Sequence, residues 1–248
     1  MPVVFIAVDQ VDLSSPVAVV RRRTLRLHLW LPLGVAAVVA VWLSQFGGDL
    51  WIARHIYAWS GGSWLLREHV VTATIIHPGG KYLSLLLWFA VLTCYLRSGR
   101  DQPLANWRQP LKYLLLATLL PTLTVTVLKA VIDMDCAWDI IGLGGQRPYL
   151  GLFDARPSGL PAAGCFPAGH ASAGYCWVAL YFFFAATKPR WRHRGLAFGL
   201  LLGAIFGISQ QLRGAHFASH DVASLLICWL IALALDAVML RSQRAVQA

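Results

Sequence analysis

Charge is scarce in this chain. Lys, Arg, Asp and Glu make up 13% of its 248 residues, and the acids number only 11. Water-soluble domains carry about 25% charged residues. With 58% hydrophobic residues, the composition excludes an ordinary soluble domain and indicates a membrane protein. A zinc spacing is missing as well. Cys94, Cys136, Cys165, Cys176 and Cys228 fall at no interval that zinc sites use. A cation loop is missing too, since Asp133, Asp135, Asp139 and Asp154 are irregularly spaced and read as solvated loop acids. The first 20 residues show no cleavage signature, so the first apolar run reads as a retained anchor. No internal repeat is visible. The net charge of +10 does not signal nucleic acid, because the basic residues are split among the ends of apolar runs, where they set topology.

What the chain does have is long apolar runs. Six segments, near 26–46, 80–97, 111–131, 169–187, 195–213 and 221–240, approach the length needed for a hydrocarbon core of about 30 Å. Eleven tryptophans suit two interfacial belts. The expected architecture is an all-α, six-span membrane domain over 26–248, preceded by a cytoplasmic tail over 1–25. Placing the N-terminus inside puts fourteen of the 21 Lys and Arg in short inner loops and tails, which fixes the orientation and leaves both termini cytoplasmic. Two longer connections then face outward. Residues 47–79, with Trp51, Ile52, Ile56, Trp64, Leu65 and Leu66, read either as an interfacial amphipathic helix pair or as a loop packed on the bundle. Residues 132–166, rich in Gly, Pro, Asp and Arg, read as a loop of the kind that carries function.

The chemistry-bearing residues gather at outer span ends. Arg213, His216, His220 and Asp221 lie between the last two apolar runs. A nucleophilic imidazole needs a partner on its other nitrogen to fix the tautomer, and His220 or Asp221 could supply it. His170 ends Pro167-Ala168-Gly169-His170 at the mouth of the fourth run. Gly169 admits close approach of backbone to a ligand, and the first amides of a helix favour phosphate. Taken singly, His170 and His216 are ordinary interfacial residues, Lys129 is a snorkelling lysine and Arg147 a solvated loop arginine. Together they supply a nucleophile, an acid and cations for charged oxygens.

These blocks resemble the type 2 phosphatidic acid phosphatase (PAP2) superfamily over roughly residues 110–240. That family's pattern is Lys-x6-Arg-Pro, Pro-Ser-Gly-His and Ser-Arg-x5-His-x3-Asp. The resemblance implies a PAP2-like helical bundle, His216 as a nucleophile forming a phosphohistidine, His170 as the acid for the leaving group, and metal-free, cofactor-free hydrolysis. The chain departs from the pattern. Seventeen residues intervene between Lys129 and Arg147, Ala168 replaces the serine, Gln210 replaces the arginine, and His220 stands where the aspartate belongs. Arg213 lies one helical turn from Gln210 and is expected to take over its phosphate contact. Asp221 is rotated by about 100° from the position of His220, so His220 is the favoured orienting group, with Asp221 behind it. Cys136 and Cys165 share the outer loop, where an oxidising periplasm would bridge them; two free thiols are the other reading. The other three cysteines read as packed apolar residues.

The sequence thus leads to hydrolysis of a lipid phosphate monoester or diphosphate at the periplasmic face of a bacterial inner membrane. The site would comprise His216, His170, His220 and Asp221 with Lys129, Arg147, Arg213, Gly169 and Ala168. Transfer to a second lipid, or phospholipid binding and transport without turnover, are the alternatives. The partners expected are the bilayer and a lipid phosphate, with no nucleic acid.

Overall fold

The computed structural model describes residues 26–100 and 102–241. The expected cytoplasmic tail over 1–25 lies outside them. Among the described residues the structure is helical, with no strands beyond two isolated bridges, Met134–Gly164 and Ile140–Arg147.

Among the described residues, five helices are long and apolar enough to cross a membrane: α1 (Arg26–Gln45), α3 (Val70–Arg97), α4 (Arg108–Val131), α6 (Pro189–Leu212) and α7 (Ala218–Arg241). A shorter helix, α2 (Gly48–Trp59), joins α1 to the turn before α3. Segment 169–187, here α5, is helical but not uniform. A 3-10 turn at Cys176–Ala179 divides Gly169–Tyr175 from Leu180–Thr187. Of the six expected spans, five are helices long and apolar enough to cross a membrane, and the sixth segment, 169–187, is helical but divided.

One boundary moves for an identifiable reason. The second span was expected to begin near residue 80, after His77-Pro78-Gly79-Gly80. The helix begins ten residues earlier, as a π-turn over Val70–Ile76. That wide turn delivers Pro78 to the first positions of the regular helix, where its missing N–H is no loss. The connection 47–79 consequently contains one helix, not a pair. Trp51 and Trp59 of α2 are both exposed.

Small residues set how closely the bundle packs. Gly195, Gly199, Gly203 and Gly207 recur every fourth position and share one face of α6. A Cβ on Gly199 would lie 2.3 Å from the Val178 nitrogen, and one on Gly203 would meet the Tyr175 ring at 2.0 Å. Gly174 of α5 lies in turn against the Gly203 backbone. Where lipid tails are as apolar as leucine, such close backbone contact is what drives helix association. Lower in the bundle, the fully buried Tyr113 donates to the Ala232 carbonyl at 3.1 Å and so ties α4 to α7. Trp177 Nε1 donates to Ser84 Oγ, which donates to the Ala173 carbonyl, tying α5 to α3.

The outer connection 132–166 is folded, not open. Cys136 and Cys165 are joined, with their Cα atoms 5.3 Å apart. Asp135 receives two guanidinium groups, Arg147 at 2.5 Å and Arg156 at 2.9 Å. Burial alone would push the Asp135 carboxyl up, but the hydrogen bonds from Arg156 and Arg147 outweigh it and hold the group below its ordinary range.

Candidate active site

The site begins at the turn between α6 and α7. Gly214 has φ +74°, and the Trp64 ring stands where a Cβ would be; both conditions demand glycine. Its carbonyl accepts from the Trp138 amide at 2.9 Å, so the outer loop is stitched to this turn. The chain then enters α7, whose first turn is closed by Asp49 of α2. That carboxylate accepts the Ser219 amide at 3.0 Å and also the Ser219 hydroxyl. An anion at the start of a helix satisfies an orphan amide and opposes the helix dipole favourably. The result fixes the two histidines that flank the turn.

His216 Nδ1 lies 3.4 Å from His220 Nδ1, so one nitrogen carries the proton and the other accepts. His216 is 8% exposed and His220 is fully buried. Burial holds the His216 imidazole well below its usual pKa range, and the neighbouring charges of His220 and Lys129 add to the effect. His216 is therefore neutral at pH 7, the form that has a lone pair to give. The Cys165 carbonyl is the backbone group turned toward both rings. The bridge at Cys136–Cys165 thus anchors a contact to the histidine pair itself.

Asp221 has a different neighbourhood. Its Oδ2 accepts from Gln211 Nε2 at 2.5 Å. Its carboxylate occupies the space that a Cβ on Gly207 would need. Oδ1 is buried without a partner, as is Nε2 of His220. The group that bonds His216 is His220, while Asp221 faces α6.

His170, at the start of α5, is held from the other side. Its Nε2 lies 3.2 Å from the Ile76 carbonyl, which can only accept, so Nε2 carries a proton. The ring stacks on Phe206 at 4.7 Å and meets His77 at 4.9 Å. Ala168, two residues before His170, donates to the His220 carbonyl at 3.2 Å, so the start of α5 and the histidine pair share one end of the bundle.

The cations divide between these positions. Lys129, at the end of α4, lies along Gly169. A Cβ there would be 3.4 Å from Lys129 Cδ and 3.9 Å from Nζ, so glycine makes room for the lysine. Its charge acts on His216, His220 and His77. Arg213 donates to the Arg67 carbonyl at 2.9 Å and to Gln210 Oε1 at 3.2 Å. Its charge acts on His170 and His77. Gln210 thus holds Arg213 one turn along the helix. Arg147 is committed elsewhere, to Asp135 and to the Pro161 carbonyl. Ala168 is fully buried. It engages through backbone alone, donating to the His220 carbonyl at 3.2 Å and accepting from Ser224 Oγ at 2.9 Å. Among the described residues no group of three His, Cys, Asp or Glu is placed to hold a metal ion.

Four participants were not expected from the sequence: His77, Gln211, the Asp49 cap and the Cys165 carbonyl. Only His77 carried a visible signal, a histidine before Pro-Gly-Gly at the edge of an apolar run.

With this geometry in place, the comparison with known families is decisive at one level. The model of the PAP2 superfamily matches residues 110–244, more than half of the chain, and the protein belongs to that superfamily. Phosphatase-type phosphoryl transfer is accordingly its general activity. No curated protein and no solved structure matches the chain significantly.

Proposed function

We propose that the protein hydrolyses a lipid phosphate monoester or diphosphate at the outer, periplasmic face of a bacterial inner membrane, through a phosphohistidine on His216. The observation that carries this reading is the pair of neighbouring imidazoles, one buried and neutral, the other hydrogen-bonded to a carbonyl and edged by cations. His216 Nδ1 faces His220, so Nε2 is the nitrogen free to attack. His220 acts as acceptor for the Nδ1 proton and holds the ring in that tautomer. As Nε2 bonds to phosphorus, the bridging P–O bond breaks and its electron pair takes a proton from His170. Lys129 and Arg213 neutralise the oxygens that gain charge. Water then cleaves the N–P bond and releases phosphate.

The roles once expected of Arg147 and Asp221 change in this account. Arg147 shapes the outer loop through Asp135, and Asp221 braces α7 against α6. The lipid nature of the substrate is supported by where the site lies, at the ends of helices that are long and apolar enough to cross a bilayer.

The direct test is phosphate release from a panel of membrane lipid phosphates by the purified protein, with His216→Ala beside it. Release should vanish in the variant, and brief incubation with labelled substrate should leave acid-labile label on the wild type only. Equal release by both proteins would falsify the mechanism. Label that appears on a second lipid, with little free phosphate, would make the reaction a transfer instead.

A further inference from the structure

The far side of His170 is cationic, although the leaving group of a simple lipid monophosphate is a neutral alcohol. His77 meets the His170 ring at 4.9 Å and follows directly on Ile76, whose carbonyl holds His170 Nε2. One short segment therefore positions His170 and supplies a second imidazole beside it. Lys81 is four residues further along the same helix, on the same face as His77, and its charge reaches the His77 ring. Arg213 acts on His77 and His170, and Lys129 acts on His77 as well as on His216 and His220. His77 and Lys81 are both exposed. At 28 residues, α3 is roughly 42 Å long at about 1.5 Å per residue. Its first turns can therefore stand clear of an apolar core of about 30 Å, at the depth of a headgroup.

We propose that His77, Arg213 and Lys81 form a second phosphate subsite beyond His170, and that the substrate class is a lipid diphosphate. The proposal rests on the phosphohistidine reading above. His216 attacks the terminal phosphorus next to Lys129. The bond from that phosphorus to the bridging oxygen breaks, and the electron pair passes to the bridging oxygen, which takes the proton of His170. The departing group is then a lipid monophosphate, an anion that the charges of Arg213 and Lys81 neutralise and to which the His77 imidazole donates a hydrogen bond as it leaves. An alcohol leaving group would gain nothing from them and would leave these charges without a counter-ion. Glu68, the acidic neighbour that acts on Arg213, is solvent-exposed.

The test compares a prenyl diphosphate with the prenyl monophosphate of the same chain length, using the full-length protein in bilayer discs. Wild type should prefer the diphosphate in kcat/KM by tenfold or more. His77→Ala should collapse that ratio at least tenfold, and His77→Lys should restore most of it. Equal loss on both substrates in His77→Ala, or a wild-type preference for the monophosphate, would overturn the subsite. His216→Ala should abolish both activities; activity surviving there condemns the phosphohistidine reading and not the subsite. Calorimetry with inorganic pyrophosphate and inorganic phosphate reads the subsite without turnover. Tighter pyrophosphate binding that His77→Ala removes supports it, and equal binding of the two anions in wild type sinks it.

Discussion

The two ends of the reacting axis are built differently. On the His216 side the site is buried. The ring is buried, its partner His220 is fully buried, and the turn that carries them is closed by Asp49, Trp64 and the bridged outer loop. On the His170 side the ring lies between buried Phe206 and exposed His77, with exposed Lys81 beyond. A nucleophile benefits from a dry, fixed setting, because a neutral imidazole keeps its lone pair where charging is disfavoured. An acid that must be reloaded with a proton each cycle benefits from access to solvent. The contrast sets a buried histidine pair against a histidine whose ring neighbour His77 is exposed.

Several experiments would break or sharpen that contrast. The largest effect is expected for His170→Ala, about 10²–10⁴ in kcat with an alkyl phosphate. A nitrophenyl phosphate, whose leaving group needs no proton, should show a far smaller loss in parallel assays; equal losses would deny His170 its role as acid. Next, Lys129→Glu should lower kcat/KM by roughly 10²–10³, since it places like charge beside the transferring phosphoryl.

Smaller effects follow on stability. Replacing both Cys136 and Cys165 with serine should lower unfolding free energy by about 2–4 kcal/mol, read as a lower denaturation midpoint. It should also lower kcat, because the Cys165 carbonyl faces both imidazoles. A midpoint unchanged by reductant would remove the bridge from the argument. The smallest effect is on pH. His216 is held below the ordinary histidine range, so the nucleophile stays neutral as pH falls past about 6.5, and the acid limb of kcat/KM should lie below that value. Burying this neutral ring contributes stability above the unfolded pKa. That contribution is lost as pH falls from about 6.5 toward the folded value. Lys129→Met removes one of the positive neighbours and should move the acid limb upward, toward 6.5.

Much of this arrangement could be read in the chain before any coordinates. Apolar length alone located α1, α4, α6 and α7 to within a few residues, because hydrocarbon thickness leaves little freedom. His170, His216, Lys129 and Arg213 were recognisable because their types and span-end positions suit one chemistry. The misreadings have physical causes. The second span was expected near 80–97, and a π-turn over Val70–Ile76 starts the helix earlier, which places His77 inside it. Asp135 looked like a solvated loop acid, and it is the counter-ion that draws Arg147 away. Asp221 looked like a second orienting group, yet its partner Gln211 sits across a helix–helix contact that no local spacing reveals. Even the glycine repeat of α6 escaped notice, since its meaning lies in the neighbour it admits.

Asp49 belongs to a short helix with exposed tryptophans, yet its carboxylate closes the first turn of the helix that carries His220. Displacement of that short helix is thereby coupled to the alignment of the histidine pair. Extraction into a small, highly curved micelle should silence turnover while the far-ultraviolet dichroism of the bundle stays intact, and return to a flat bilayer should restore it.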